Sequence, residues 1–212
     1  MTVRIVADGP AARAEAAAIV AAGGIVAIPT DTVYGLATER TDAAAIARLQ
    51  AIKGRSGDKG IAMLLADADQ AAEIALMTPV AAVLGRTLWP GGLTLVVPAR
   101  TGAGTAEAVL GPEGTIGIRV PDHPCPRSIA ERCGPIPASS ANRSGELEAP
   151  DAAAVADLFG PSIDLYVDGG PASGGPASTV IDCTTDRPRV LRVGAIDEDR
   201  IAIALRAAGV GR

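Results

Sequence analysis

The stretch GGIVAIPTDTVYGL, Gly23 to Leu36, constrains what this chain can fold into more than any other. Its apolar run, Ile25 to Ile28, is short and stops abruptly at a proline, so it reads as a buried strand. The exit of that strand carries Thr30, Asp31, Thr32 and Tyr34 in close succession. Hydroxyls, a carboxylate and a phenol at a strand end can point into a cleft, the place where open α/β sheets bind ligands. The same residues can also make an ordinary turn with Pro and Asp as punctuation. The local pattern leaves both readings open.

Short apolar runs recur along the chain, separated by segments with helical periodicity. Strands are expected at 25–28, 61–65, 93–97, 116–120, near Ile136, and at 165–167, 179–182 and 189–193. Helices are expected at 10–22, 42–53, 68–75, 79–88, 127–132, 151–159 and 197–208, with Pro10 in a first turn and Asp42 and Asp151 as caps. The alternation is irregular, and two extended runs follow each other late in the chain. Both features point to an α/β fold with a mixed sheet rather than a regular βαβ repeat. Gly169 to Pro176 reads as a surface loop too short for a linker, so a single domain over 1–212 is expected. Aromatic residues make up only 2% against 48% hydrophobic, so the core must be Ala, Val, Ile and Leu.

The net charge of -5 lacks the overall basic field of a dedicated nucleic-acid binder, though it is compatible with a local basic cleft. Cys125, Cys133 and Cys183 are odd in number and include no CxxC pair. The lone His123 does not complete a zinc set. Reduced thiols in a cytoplasmic protein are the expectation. The N-terminal segment has no long apolar span, so neither a signal peptide nor a membrane helix is expected.

Four further clusters carry chemistry. In KGRSGDK, three cations follow a helix end and are spaced by glycines. They complement the helix dipole, or, with Lys53 and Arg55 together, suit a polyphosphate. In TIGIRVPDHP, alternation puts Ile116, Ile118 and Val120 on one sheet face and Thr115, Gly117 and Arg119 on the other. An arginine there faces water, a partner acid or a ligand carboxylate. PIPASSANRSGE bunches Ser139, Ser140, Asn142 and Ser144. It reads as a polar loop or as hydrogen-bonding groups for a phosphate, and no GxSxG elbow supports a hydrolase. In the last cluster, Ala177 to Ile196, Ser178 precedes a strand. Arg189 and Arg192 fall on opposite faces by alternation, so one of them at most should reach a given site. The inventory offers hydroxyls, cations and an amide, with no metal-ligand cluster and no evident nucleophile. It suits electrostatic stabilisation of phosphoryl or adenylyl transfer.

In order along the chain, PTDTVYGL, KGRSGDKG, PGGLTLVVP, IGIRVPDH, ASSANRSG, STVID and LRVGAI resemble the YrdC-like family of threonylcarbamoyl-AMP synthases, from about Gly23 to Ile196. The resemblance implies a twisted mixed parallel/antiparallel sheet flanked by helices, with a large concave cleft, in the single-domain form. It implies formation of threonylcarbamoyl-AMP and pyrophosphate from L-threonine, bicarbonate and ATP, for modification of adenosine 37 in tRNA. By resemblance, Thr32, Arg119, Ala138 and Ser178 contact threonine. Lys53, Arg55, Lys59, Thr115, Ser140, Asn142 and Arg192 contact ATP, with Lys53 and Arg55 as catalytic cations. Mg²⁺ would be held mainly through the ATP phosphates, with no metal site of the protein's own. Downstream tRNA-threonylcarbamoyl transfer proteins are implied partners, with room for a weak tRNA contact and no membrane. The chain departs from the family pattern at Ser56, Gly60, Gly92 and Glu148, where prolines and a small hydroxyl are usual, which bears on loop order and substrate affinity. The alternative is a YrdC-like paralogue that binds nucleotide or RNA without synthase activity. A carbamoyl-transfer module like that of hydrogenase-maturation proteins is a third reading.

Overall fold

The structure, a computed structural model, describes residues 3–54, 61–173 and 175–207. The strands are β1 (Ile5–Ala7), β2 (Val26–Ile28), β3 (Gly35–Ala37), β4 (Ala62–Leu64), β5 (Leu93–Pro98), β6 (Thr115–Arg119), β7 (Ile136–Ser140), β8 (Leu165–Asp168), β9 (Thr179–Asp182) and β10 (Arg189–Arg192). The helices are α1 (Pro10–Ala21), α2 (Ala43–Ile52), α3 (Ala71–Ile74), α4 (Pro79–Leu88), α5 (Pro124–Cys133), α6 (Ala152–Phe159) and α7 (Glu198–Ala207). The ten strands form one sheet in the order β1-β8-β2-β3-β7-β4-β6-β5-β9-β10. Pairs β1–β8, β2–β8, β4–β6 and β5–β9 are parallel and the rest antiparallel. The mixed sheet, and the late antiparallel pair β9–β10, are as the sequence implied.

Helix starts follow local chemistry. Asp42 Oδ1 accepts from the Ala44 and Ala45 N–H groups at 2.8 and 3.1 Å, and Asp151 accepts from Ala154 at 2.8 Å. The helix expected at 127–132 begins earlier, at Pro124, because His123 Nδ1 caps it by accepting the Cys125 N–H at 3.1 Å. Two strands escaped the sequence reading. β1 and β3 have three residues each, too few for an alternation pattern to show. Only their neighbours define them: β3 pairs with β2 and, through Gly35↔Ser140, with β7. Ser139 and Ser140, read as loop, are therefore the end of a strand.

The two sheet faces are unlike. On one, Ile116, Ile118, Leu93, Leu95, Val97, Met63 and Leu36 join a continuous aliphatic core with residues of α2, α3, α4, α6 and α7. On the other, α1 and α5 pack together over Val26, Ile28, Ala37, Leu64, Ile136 and Ala138. That second helical cover stops short of β5, β6, β9 and β10. The same face, apolar beneath α1 and α5, becomes Thr94, Thr115, Gly117, Arg119, Ser178 and Asp182 beyond them. The alternation of each strand thus sends one set of side chains into the core and the other into an open hollow.

Candidate functional site

The hollow is a cleft of about 1190 Å³. It exceeds the ~300–1,000 Å³ usual for one drug-sized ligand, so it has room for more than one small molecule. Thr32, Lys53, Thr115, Arg119, Ala138, Ser140, Asn142, Ser178 and Arg192 all line it. Sequence segments far apart in the chain converge there because the sheet order interleaves early and late strands. Arg55 and Lys59 lie outside the described residues, as do the departures Ser56 and Gly60.

Arg119 sits at the end of β6, buried with only 7% of its side chain exposed. Its Nε donates to Gly91 O at 3.0 Å, Nη1 to Thr32 Oγ1 at 3.0 Å and Nη2 to Asp31 Oδ1 at 2.6 Å. A guanidinium has five N–H bonds. Those three contacts leave one on each terminal nitrogen for a ligand. Burial pushes the Arg119 guanidinium down from its ordinary value, opposed by Asp31, and Arg192 pushes the same way as burial. An arginine still holds its proton under such a shift.

Thr32 is equally fixed. Thr30 Oγ1 donates to Val33 O at 2.7 Å, so in its 3.2 Å contact with Thr32 Oγ1 the Thr32 hydroxyl is the donor. Its lone pair is taken by Arg119, and its proton serves Thr30 or a ligand. Tyr34, which the sequence could place in the cleft through its phenol, is turned away. Its hydroxyl donates to Gly170 O at 2.7 Å and accepts from Gly169 N–H at 3.1 Å. Burial raises that phenol above its ordinary value. Ser173 Oγ donates to the Asp31 and Thr32 carbonyls at 3.1 and 2.9 Å, so Ser173 braces the turn that carries Thr32.

Lys53 ends α2 and is 4% exposed, so it is not the surface cation that the helix-dipole reading describes. Its ammonium donates to the Ser140 carbonyl and lies 3.5 Å from Asn142 Oδ1. Ser140 Oγ donates to the same Oδ1 at 2.6 Å, and Asn142 Nδ2 donates to Glu146 O at 2.6 Å. Ala138 sits on β7 between Ala37 and Ala62. Thr115 Oγ1 donates to Pro112 O at 2.9 Å at the cleft's outer rim.

The last two strands correct one sequence expectation. Alternation separates Arg189 from Arg192, yet both line the cleft. The register shifts between Val190 and Arg192, where Arg189 opposes Asp182 and Arg192 opposes Val180. This β-bulge inserts one residue and turns both arginines to one face. Arg192 then donates from Nε and Nη2 to Ser178 O at 3.1 and 2.8 Å. Arg189 reaches Asp182 at 3.2 Å.

The departure at Gly92 has a structural reason. A Cβ there would meet Ala195 Cβ at 2.5 Å and Thr32 Cγ2 at 3.4 Å. The segment around Ala195 is held tightly, since Thr179 Oγ1 accepts from the Gly194 and Ile196 N–H groups at 2.9 Å each. The departure at Glu148 places a carboxylate on the cleft wall. Residues missed by sequence reasoning are Asp31 as partner of Arg119, Thr94 and Arg189. Asp31 stood in the first motif, but its partner lies 88 residues on, beyond any local signal.

The described residues hold no group of three or more His, Cys, Asp or Glu side chains suited to a metal ion. Cys125 and Cys183 are buried, and burial raises both thiols, Cys183 to about 12. No helix among the described residues is long and apolar enough to cross a membrane.

Together these features define an α/β protein with a large polar cleft in which buried Arg119 and Lys53 are brought together. The Sua5/YciO/YrdC family model, described as telomere recombination, matches residues 18–194, and the chain belongs to that family. It is 37% identical over 190 residues to threonylcarbamoyl-AMP synthase of Bacillus subtilis (strain 168), covering 89% of this chain and 55% of the relative. It is 37% identical over 158 residues to threonylcarbamoyl-AMP synthase of Halorhodospira halophila, covering 73% of this chain and 81% of the relative. The crystal structure of P. abyssi Sua5 complexed with L-threonine superposes with a TM-score of 0.89 at 32% identity, covering 97% of this chain and 61% of that one. The chain thus spans little more than half of some relatives and most of others.

Proposed function

We propose that this chain makes L-threonylcarbamoyl-AMP from L-threonine, bicarbonate or dissolved CO₂, and ATP, releasing pyrophosphate. The observation that carries the reading is the buried Arg119, braced by Asp31, Thr32 and Gly91, in one cleft with the buried Lys53. Arg119 holds the threonine carboxylate with its two remaining terminal N–H bonds, beside Thr32, Ala138 and Ser178. The threonine amine combines with bicarbonate to a carbamate, losing water. A carbamate oxygen then attacks the α-phosphorus of ATP, and the bond to the β-phosphate bridging oxygen breaks to release pyrophosphate. Lys53, with Arg55 and Lys59, meets the charge that builds on the phosphates, and Ser140, Asn142, Thr115 and Arg192 orient the nucleotide. Direct transfer needs no nucleophile from the protein, consistent with two buried cysteines, Cys125 and Cys183, and with thiols that desolvation raises at all three positions.

The donors on this wall are hydroxyl and amide oxygens beside a lysine, which fits a Mg²⁺ carried by the nucleotide better than a protein cage. Ser140 and Asn142 would stand next to it, and when bound it would neutralise phosphate charge. We place the protein in the cytoplasm and its product in tRNA modification at adenosine 37. Transfer proteins there consume the mixed anhydride, and any tRNA contact by this chain is weak. The test is pyrophosphate release from ATP with and without L-threonine and bicarbonate. Release that ignores both co-substrates would leave a nucleotide-binding paralogue in its place.

A further inference from the structure

Thr94 has no part in the reaction as described, yet it is 4% exposed and stands on the cleft floor. It shares a sheet face with Gly117 and Arg119, since a Cβ on Gly117 would lie 3.4 Å from Thr94 Cγ2. Its ladder partner on the other side is Val180. Thr94 Oγ1 lies 2.8 Å from Ser178 Oγ, and Arg192 Nη2, which can only donate, lies 3.3 Å from the same Ser178 oxygen.

The proton count is decisive. The two hydroxyls carry two protons, and one lies between them. The other has no acceptor among the described residues, whichever hydroxyl carries it. If Thr94 donates to Ser178, the Ser178 proton points to a ligand and Thr94 keeps a lone pair to accept one back. We propose that Thr94 is a specificity-determining residue that, with Ser178, recognises the side-chain hydroxyl of the amino-acid substrate. This rests on the reading of the cleft as a threonine site. The three hydroxyls close a ring in which each donates once to the next. An isostere with a methyl in place of the hydroxyl, L-valine, leaves both protein groups unmatched, and such sites discriminate strongly.

The test is calorimetry on the full chain with L-threonine, L-valine and ATP, together with turnover. The parent should prefer threonine. Thr94→Val should lose at least tenfold in threonine affinity and gain or hold valine affinity, with ATP affinity unchanged and KM for threonine affected more than kcat. Thr94→Ser, which keeps the hydroxyl, should retain the preference. A Thr94→Val protein that binds ATP normally and keeps the parent threonine-to-valine ratio overturns the proposal. If Thr94→Val also loses ATP binding, Thr94→Ser decides: loss of the ratio there overturns it. A parent that binds no threonine overturns the threonine reading itself, a result distinct from both.

Discussion

Arg119 and Arg189 stand in one cleft, but their side chains are 7% and 75% exposed. Arg119, like Lys53, belongs to the wall made by the middle of the sheet and by α2, where both cations are buried and hydrogen-bonded. Arg189 belongs to the wall made by β9 and β10, at the sheet's end, where among the described residues its side chain meets one half-buried carboxylate, Asp182. Burial makes the first wall costly to alter, because a group left behind without its partner keeps its desolvation penalty. The second wall is screened by water.

The strongest challenge to that contrast is Arg119→Ala. Loss of a desolvated carboxylate partner costs about 2–5 kcal/mol, so threonine affinity should collapse while ATP affinity changes far less. Calorimetry showing unchanged threonine affinity would break the comparison at its centre. Lys53→Ala comes next. It should lower turnover by ~10²–10³ even at saturating ATP and threonine, as removal of one preorganised charge-stabilising donor does. Parent-level turnover would make Lys53 a structural group that merely holds Ser140 and Asn142.

Gly92→Ala sharpens the claim that the dry wall is fully packed. Its Cβ has no space between Ala195 and Thr32, so a loss of about 1–3 kcal/mol is expected in denaturant unfolding. Ala195→Gly in the same background should recover part of it, and no recovery would place the strain elsewhere. His123 tests the wall's support, since α5, which it caps, starts just after β6. Burial lowers His123 from its ordinary value of 6.5, opposed by Asp8, Asp31 and Asp122 and reinforced by Arg13. The folded state therefore binds fewer protons than the unfolded state. The contribution is fully present above pH 6.5 and is lost as pH falls through the lower folded value. Melting temperature should drop between pH 7.5 and 5 in the parent and drop less in His123→Asn, which keeps a capping oxygen. Equal slopes would discard His123 as the cause. The smallest effect is expected for Arg189→Ala, within about 1 kcal/mol in ATP binding and fading with added salt. An effect as large as that of Arg119→Ala would erase the distinction between the walls.

Much of this was legible in the residues. Period-2 alternation on 115–120 put Thr115, Gly117 and Arg119 on one face, and the structure finds all three in the cleft. Asp42 and Asp151 cap the helices they precede, because a capping interaction spans only three residues. The family resemblance named Lys53, Ser140, Asn142 and Ser178, which the fold brings together, and the match to residues 18–194 establishes the family. What stayed hidden depends on contacts between distant segments. Nothing near Asp31 shows that its partner is Arg119, or near Thr94 that it faces Ser178, 84 residues later. The bulge that turns Arg189 and Arg192 to one side breaks the alternation from which their faces were read. The cleft itself exists because α5 stops where it does, leaving four strands uncovered on that face. A sequence carries its local periodicities and caps in adjacent residues, so those could be read directly. Which buried groups meet, and where a helical layer ends, follow from the packing of the whole sheet, and only the tertiary structure decides them.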